Sequence, residues 1–323
     1  MKKSKPLRTA FLIMVVFFSL NDRVSAQKDT VKIGAFIISL NDFNLANNSF
    51  MCDFWYWALY KNKDLDFRTM MEITPSINYQ LKSSFVNELP GSYWYQANIK
   101  AEVRKNWNVK NFPFDEQEIN VIIESTEGDT STLVFTSDEE NSKIDPKLHL
   151  NEWTIKSSTF KSYDSDYSTT FGNPDLKGSS VYPGFKMSIT IARKYSYLIL
   201  FKLITGVIVA FIISCSVFFI NFHHTDARFQ LCVGGLFAAV GNKYIVEAIV
   251  PSSNIVTLLD NIHNVTFVYI LLIILLSIIS LAIFEKKKVG SVELSQKLDM
   301  ISFFCVSSSY AVIITSLVFY PSL

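Results

Sequence analysis

Asp226, Gln230, Gly234, Phe237, Gly241, Tyr244 and Ala248 recur at intervals of four and three residues. On a helix turning about 100° per residue they share one stripe about 80° wide. The stripe is small, polar or aromatic, whereas Leu231, Val233, Leu236, Val240 and Val246 mostly fall elsewhere. The surrounding segment is apolar enough to cross a bilayer, yet it carries Asp226, Arg228, Gln230, Asn242, Lys243 and Glu247. Ionisable groups at membrane depth are costly and face water or a partner. Several copies of the stripe around an axis would line a water-filled path, with Asp226 repeated as a ring of carboxylates that attracts cations. The competing reading is a helix-packing face, because Gly234 and Gly241 allow close backbone approach. That reading explains the glycines but neither Asp226 nor Gln230. Asp226 also suits a helix N-cap, a role compatible with the first. Lys243 and Glu247, four apart on another face, are expected to form an ion pair within the chain or with a neighbouring subunit.

A second group is aromatic. The stretch from Tyr163 to Phe185 holds Tyr163, Tyr167, Phe171 and Tyr182, which can cage a cation at about 0.5–2 kcal/mol per ring. Equally, such rings can simply stiffen a long loop. Asp164, Asp166 and Asp175 offer a third possibility, a divalent cation, although their spacing is not that of an EF-hand loop. Nothing in the chain has the pattern of an enzyme: there is no nucleophile elbow, phosphate-binding glycine loop or visible nucleophile–base set. Cys52, Cys215, Cys232 and Cys305 have neither metal-ligand nor disulfide-framework spacing, and the four histidines are scattered. No catalytic residue, metal site or cofactor is expected. A formal net charge of +1 gives no indication of a nucleic-acid partner.

The elements that must hold these groups divide the 323 residues near Arg193. The basic start "MKKSKPLR", the apolar run "TAFLIMVVFFSL" and Val24-Ser25-Ala26 fit a cleaved signal peptide over residues 1–26. A membrane anchor is the alternative, but about twelve apolar residues are too few to span a bilayer. Residues 27–193 contain strand-like stretches such as "VKIGAFIISL", "SFMCDFWYWALY", "QEINVIIES" and "GFKMSITIAR", separated by Asn, Asp, Gly and Ser clusters. Seven or more such stretches predict an antiparallel β-sandwich. Residues 194–323 hold four apolar blocks, about 195–220, 226–250, 261–284 and 298–320, each near the twenty residues that a bilayer requires. The fold class predicted is an α+β membrane protein, an extracellular antiparallel β-sandwich followed by a four-helix transmembrane bundle. With the sandwich outside, Lys286, Lys287 and Lys288 fall inside, and the outer link "PSSNIVTLLDN" has no Lys or Arg.

This arrangement, together with "NFPFDEQ" (Asn111 to Gln117) and "ITIAR" ending at Arg193, resembles the pentameric ligand-gated ion channels of the Cys-loop receptor superfamily. It is similar in particular to prokaryotic members that lack the disulfide. The resemblance spans nearly all of the chain after residue 26. It implies a homopentamer in the inner (plasma) membrane of a bacterium, crossing it several times with the sandwich outside. The second transmembrane segment would line the pore, with Phe237 at the central gate, Gln230 near the inner mouth and Asp226 at the cytoplasmic entrance. It also implies that the apolar corner Phe112-Pro113-Phe114 sits over the membrane domain. Asp115 would meet Arg193 there, with Asp42 as a third member and Pro251 following the second helix. An unidentified small-molecule agonist would bind under the Tyr163–Phe185 hairpin. The chain departs from the family pattern in lacking a proline midway along the first helix, and in having phenylalanine at the gate.

The leading expectation is therefore a ligand- or proton-gated channel for monovalent cations. The alternative is a membrane-anchored sensor that binds a ligand on the sandwich and conducts nothing. A continuous water-facing stripe distinguishes them, because only the channel needs one.

Overall fold

The computed structural model describes residues 28–174, 177–249, 256–286 and 289–319. The leader expected over residues 1–26, together with Asp175, Pro251, Lys287 and Lys288, lies outside them.

Alternation of apolar and polar residues builds the first half. In β2 (Ser49–Tyr60), Phe50, Cys52, Phe54, Tyr56, Ala58 and Tyr60 point into the core while the residues between them do not. Its antiparallel neighbours, β1 (Asp29–Asn44) and β5 (Ser92–Arg104), contribute Val31, Ile33, Ala35 and Ile37, and Tyr95, Ala97, Ile99, Ala101 and Val103. Period-two patterning of this kind puts one sheet face inward. With β4 (Ser76–Leu89), β7 (Leu133–Ser137) and β8 (Lys143–Ile144) they make a six-stranded sheet in the order β4-β5-β2-β1-β7, with β8 also on β1. The facing sheet has the order β3-β6-β10-β9, from β3 (Met71–Thr74), β6 (Glu116–Ser125), β9 (Trp153–Tyr167) and β10 (Ser180–Arg193).

Two features differ from the predicted pattern. β7 and β8 pair parallel to β1, so the sandwich is antiparallel-rich but not wholly antiparallel. β4 was not legible as a strand. Its outward residues, among them Ile77, Tyr79, Leu81 and Phe85, are exposed, and a register shift between Leu81 and Ser83 breaks its alternation.

The second half is four helices: α1 (Ser196–Cys215, continued by a 3-10 turn at Ser216–Phe219), α2 (Thr225–Ile249), α3 (Leu258–Glu285) and α4 (Ser291–Phe319). All four are long and apolar enough to cross a membrane, which makes the chain a multi-pass membrane protein by architecture. α4 begins seven residues before its apolar block at about 298, because a polar first stretch, "SVELSQK", continues the same helix. A capping box starts α3: the Thr257 hydroxyl accepts from Asp260 N–H at 3.1 Å, and Asp260 accepts from Thr257 N–H at 3.0 Å. Seams between the helices are small and polar. Ser295 donates to the Ser280 carbonyl at 2.8 Å, and Ser214 donates to the Ala210 carbonyl at 3.0 Å beneath Gly235. Such residues let helices approach closely where lipid supplies no hydrophobic drive.

Candidate functional site

The α2 helix divides cleanly. Arg228, Cys232, Gly235, Ala239 and Val246 are buried against the other helices. A side chain at Gly235 would collide with Ser214 and with the Ala210 carbonyl, 2.8 Å from the added Cβ, so this glycine carries the packing. On the opposite side Asp226, Gln230, Gly234, Phe237, Gly241, Tyr244 and Ala248 are all exposed. Added carbons at Gly234 and Gly241 would meet nothing within 4 Å. Among the described residues of one chain these two glycines therefore have no helix to pack on. Phe237 and Tyr244 are about 70% exposed, at 71% and 69%, and project from the bundle. Arg228, two residues from Asp226, turns inward and is 1% exposed. Lys243 and Glu247 form an i,i+4 ion pair at 3.7 Å. Farther along, His263 on α3 lies between the Leu259 carbonyl (2.8 Å) and Asn242 Oδ1 (3.0 Å), joining the third helix to the second. Sequence reasoning assigned no part to His263 or Asn242.

At the junction of the two halves, the corner before β6 is held from both ends. Arg193 Nε donates to Asp115 Oδ1 at 2.7 Å, and both side chains are buried. The guanidinium also lies over the rings of Trp153 (4.2 Å) and Phe112 (4.6 Å). Gln117 completes the arrangement: its Nε2 donates to Asp115 Oδ2 at 2.7 Å and to the Asn108 carbonyl at 2.8 Å, and its Oε1 accepts from Asn108 N–H at 3.2 Å. Gln117 lies in phase with inward-facing Ile119, Val121 and Ile123, and a polar residue at such a position is the signal that marks it.

The corner touches the helices at two points. The Phe114 ring packs edge-on against Tyr197 of α1 at 4.9 Å, and the Lys110 carbonyl accepts from Leu258 N–H, the first residue of α3, at 3.0 Å. Buried Pro113 follows a cis peptide bond. Of the two phenylalanines expected to press on the helices, Phe114 does so, whereas Phe112 packs beneath Arg193. Asp42 is not brought to the pair. It is exposed at a backbone φ of 51°, and among the described residues no ion pair joins it to Arg193. A register shift between Asn41 and Asn44, near the end of β1, leaves the Asp42 side chain exposed.

The hairpin gathers three of its four singled-out rings. Tyr167 meets Phe171 at 5.2 Å and Tyr182 at 6.0 Å, and Phe171 meets Tyr182 at 6.2 Å. Tyr163 lies farther back on β9 and joins them through Glu124, a buried carboxylate that accepts from Tyr163 at 3.4 Å and also from Tyr167. Burial, reinforced by the Glu124 charge, pushes the Tyr163 phenol up to about 12. Burial and the hydrogen bond to Glu124 raise Tyr167 as well. Both hydroxyls therefore keep their protons at neutral pH and remain donors. Close packing fixes Tyr163, since a Cβ at Gly184 would come within 2.6 Å of its ring. Glu124 escaped the sequence reading because only the fold places it under tyrosines about forty residues onward. Asp164 and Asp166 lie exposed on β9.

The chain matches no protein-family model and no curated protein.

Proposed function

We propose that the chain forms a homopentameric, cation-selective channel in which α2 lines the pore and a ligand on the sandwich controls opening. The observation that carries this reading is the exposed stripe of α2, set directly opposite its packed face. Lipid gains nothing from Asp226 and Gln230 on that surface, whereas a ring of α2 helices turns the stripe toward shared water. The number five comes from the resemblance. Purified protein crosslinked in mild detergent is expected to give a ladder ending at five subunits, and to pass unitary currents in planar bilayers. A ladder that stops at two, with silent bilayers, points instead to the non-conducting sensor.

Selectivity follows from Asp226. With Arg228 turned into the protein, the charge presented at that mouth is a ring of carboxylates, and Gln230 offers neutral oxygens and amides one turn deeper. Reversal potentials in asymmetric sodium chloride are expected near the sodium equilibrium value and should shift toward zero in Asp226→Asn. A wild-type value near that of chloride removes this assignment.

The hairpin is the proposed agonist site, and its chemistry fits a cation: Tyr167, Phe171 and Tyr182 offer ring faces, with the Glu124 carboxylate beneath. Losing one ring is expected to cost about 0.5–2 kcal/mol of affinity for an organic cation. Titration of tetramethylammonium into wild type and Tyr182→Ala measures this directly. Equal affinities would return these rings to a loop-stiffening role.

A further inference from the structure

A cavity of about 390 Å³ opens at the end of the bundle away from the sandwich. Phe219 and Met300 form its apolar wall, Asn221 and Gln296 supply amides at its rim, and Arg228 and Asp299 line its interior. The last two are a buried ion pair between α2 and α4. Arg228 is engaged at all three nitrogens: Nε donates to the Ile220 carbonyl at 3.0 Å, one terminal nitrogen to Ser277 Oγ at 3.5 Å, and the other to Asp299 Oδ2. Its guanidinium also covers the Phe222 ring at 4.5 Å. Asp299 is only half satisfied. Its Oδ1 is buried and has no donor among the described residues. A buried carboxylate oxygen left without a hydrogen bond is costly, and on a residue that lines a cavity it indicates a missing donor.

The position of the cavity narrows what that donor is. Asp299 lies eight residues into α4, about 12 Å along the helix axis, where polar sequence gives way to apolar. Phe219 and Met300 are exposed on the outer surface of the bundle, where acyl chains would lie. An occupant must therefore be apolar on the bilayer side, carry an acceptor for the rim amides and present an N–H to Asp299. We propose that this cavity binds a phospholipid with a primary ammonium headgroup, of the phosphatidylethanolamine type, in the leaflet away from the sandwich. Its ammonium donates to Asp299 Oδ1, its phosphate accepts from the Gln296 and Asn221 amides, and its chains pass over Phe219 and Met300. A trimethylammonium headgroup has no N–H to give. An anionic headgroup would set a second negative charge beside Asp299, whose cationic partner Arg228 is already engaged. The inference needs the helices to cross a membrane but does not need the chain to conduct.

Native mass spectrometry of the full-length protein in detergent, with equal phosphatidylethanolamine and phosphatidylcholine of matched chains, reads the preference. A charge-assisted hydrogen bond corresponds to about tenfold greater retention of the ethanolamine lipid. Asp299→Asn should lose most of that ratio but also disturbs the buried pair. Met300→Trp fills the mouth without touching the pair, and it should bring the ratio to one while thermal unfolding stays unchanged. Equal retention of both lipids by the wild type overturns the proposal, as does a ratio that survives Met300→Trp. Displacement of the lipid by soluble phosphoethanolamine at equal concentration also overturns it, since the occupant would then be a free amine.

Discussion

Arg193→Ala is expected to uncouple the two halves of the protein and to destabilise it by about 3–5 kcal/mol, the cost of leaving one partner of a buried pair without the other. Asp115 would remain buried, held among the described residues by Gln117 alone, and the guanidinium that spans Trp153 and Phe112 would be gone. The corner that carries Phe114 onto α1 and Lys110 onto α3 then loses its anchor in β10. Asp115→Asn should be milder, because the amide keeps an acceptor for Arg193 and the cation keeps its two rings. Thermal unfolding of the purified protein measures the loss of stability. Open probability in planar bilayers, under the condition that opens the wild type, measures the uncoupling. Wild-type opening in Arg193→Ala would remove the junction from the gating scheme, even if stability falls.

Phe237→Ser is expected to leave the proposed channel leaking in the absence of agonist. In a ring of α2 helices the exposed phenylalanine becomes an apolar collar, and a narrow apolar passage stops ions by excluding water rather than by filling the space. A hydroxyl at each position lets water, and then ions, through. Little energy is needed: about 1.4 kcal/mol lost from the closed state raises a small resting open fraction tenfold. Phe237→Leu should restore a tight closed state. Resting current through wild type and both variants tests this. If Phe237→Ser stays shut, the constriction lies elsewhere, and Tyr244 is the next candidate. It is almost as exposed, and it stands about 10 Å nearer the sandwich on the same stripe.

These experiments draw unequally on the sequence. The inward residues of β1, β2 and β5, the four apolar blocks and the stripe of α2 are local patterns, periods of two or about 3.6 and runs of bilayer length, and a chain read in order displays them. All seven stripe residues are exposed in the single chain, and the stripe and the packed face are both properties of one helix. Partnerships across the chain are different. Arg193 and Asp115 are 78 residues apart, and Arg228 and Asp299 are 71. The resemblance named the first pair, but only the tertiary structure added Gln117, excluded Asp42 and turned Phe112 toward Arg193. Nothing in sequence order joins Glu124 to Tyr163 and Tyr167, or sets β7 and β8 parallel to β1. β4 stayed illegible because a register shift breaks its alternation and the chain itself does not bury its outward side chains. Local periodicity is fixed by backbone geometry and needs no partner. Which polar group meets which depends on how strands and helices are stacked, and that packing first exists in the folded chain.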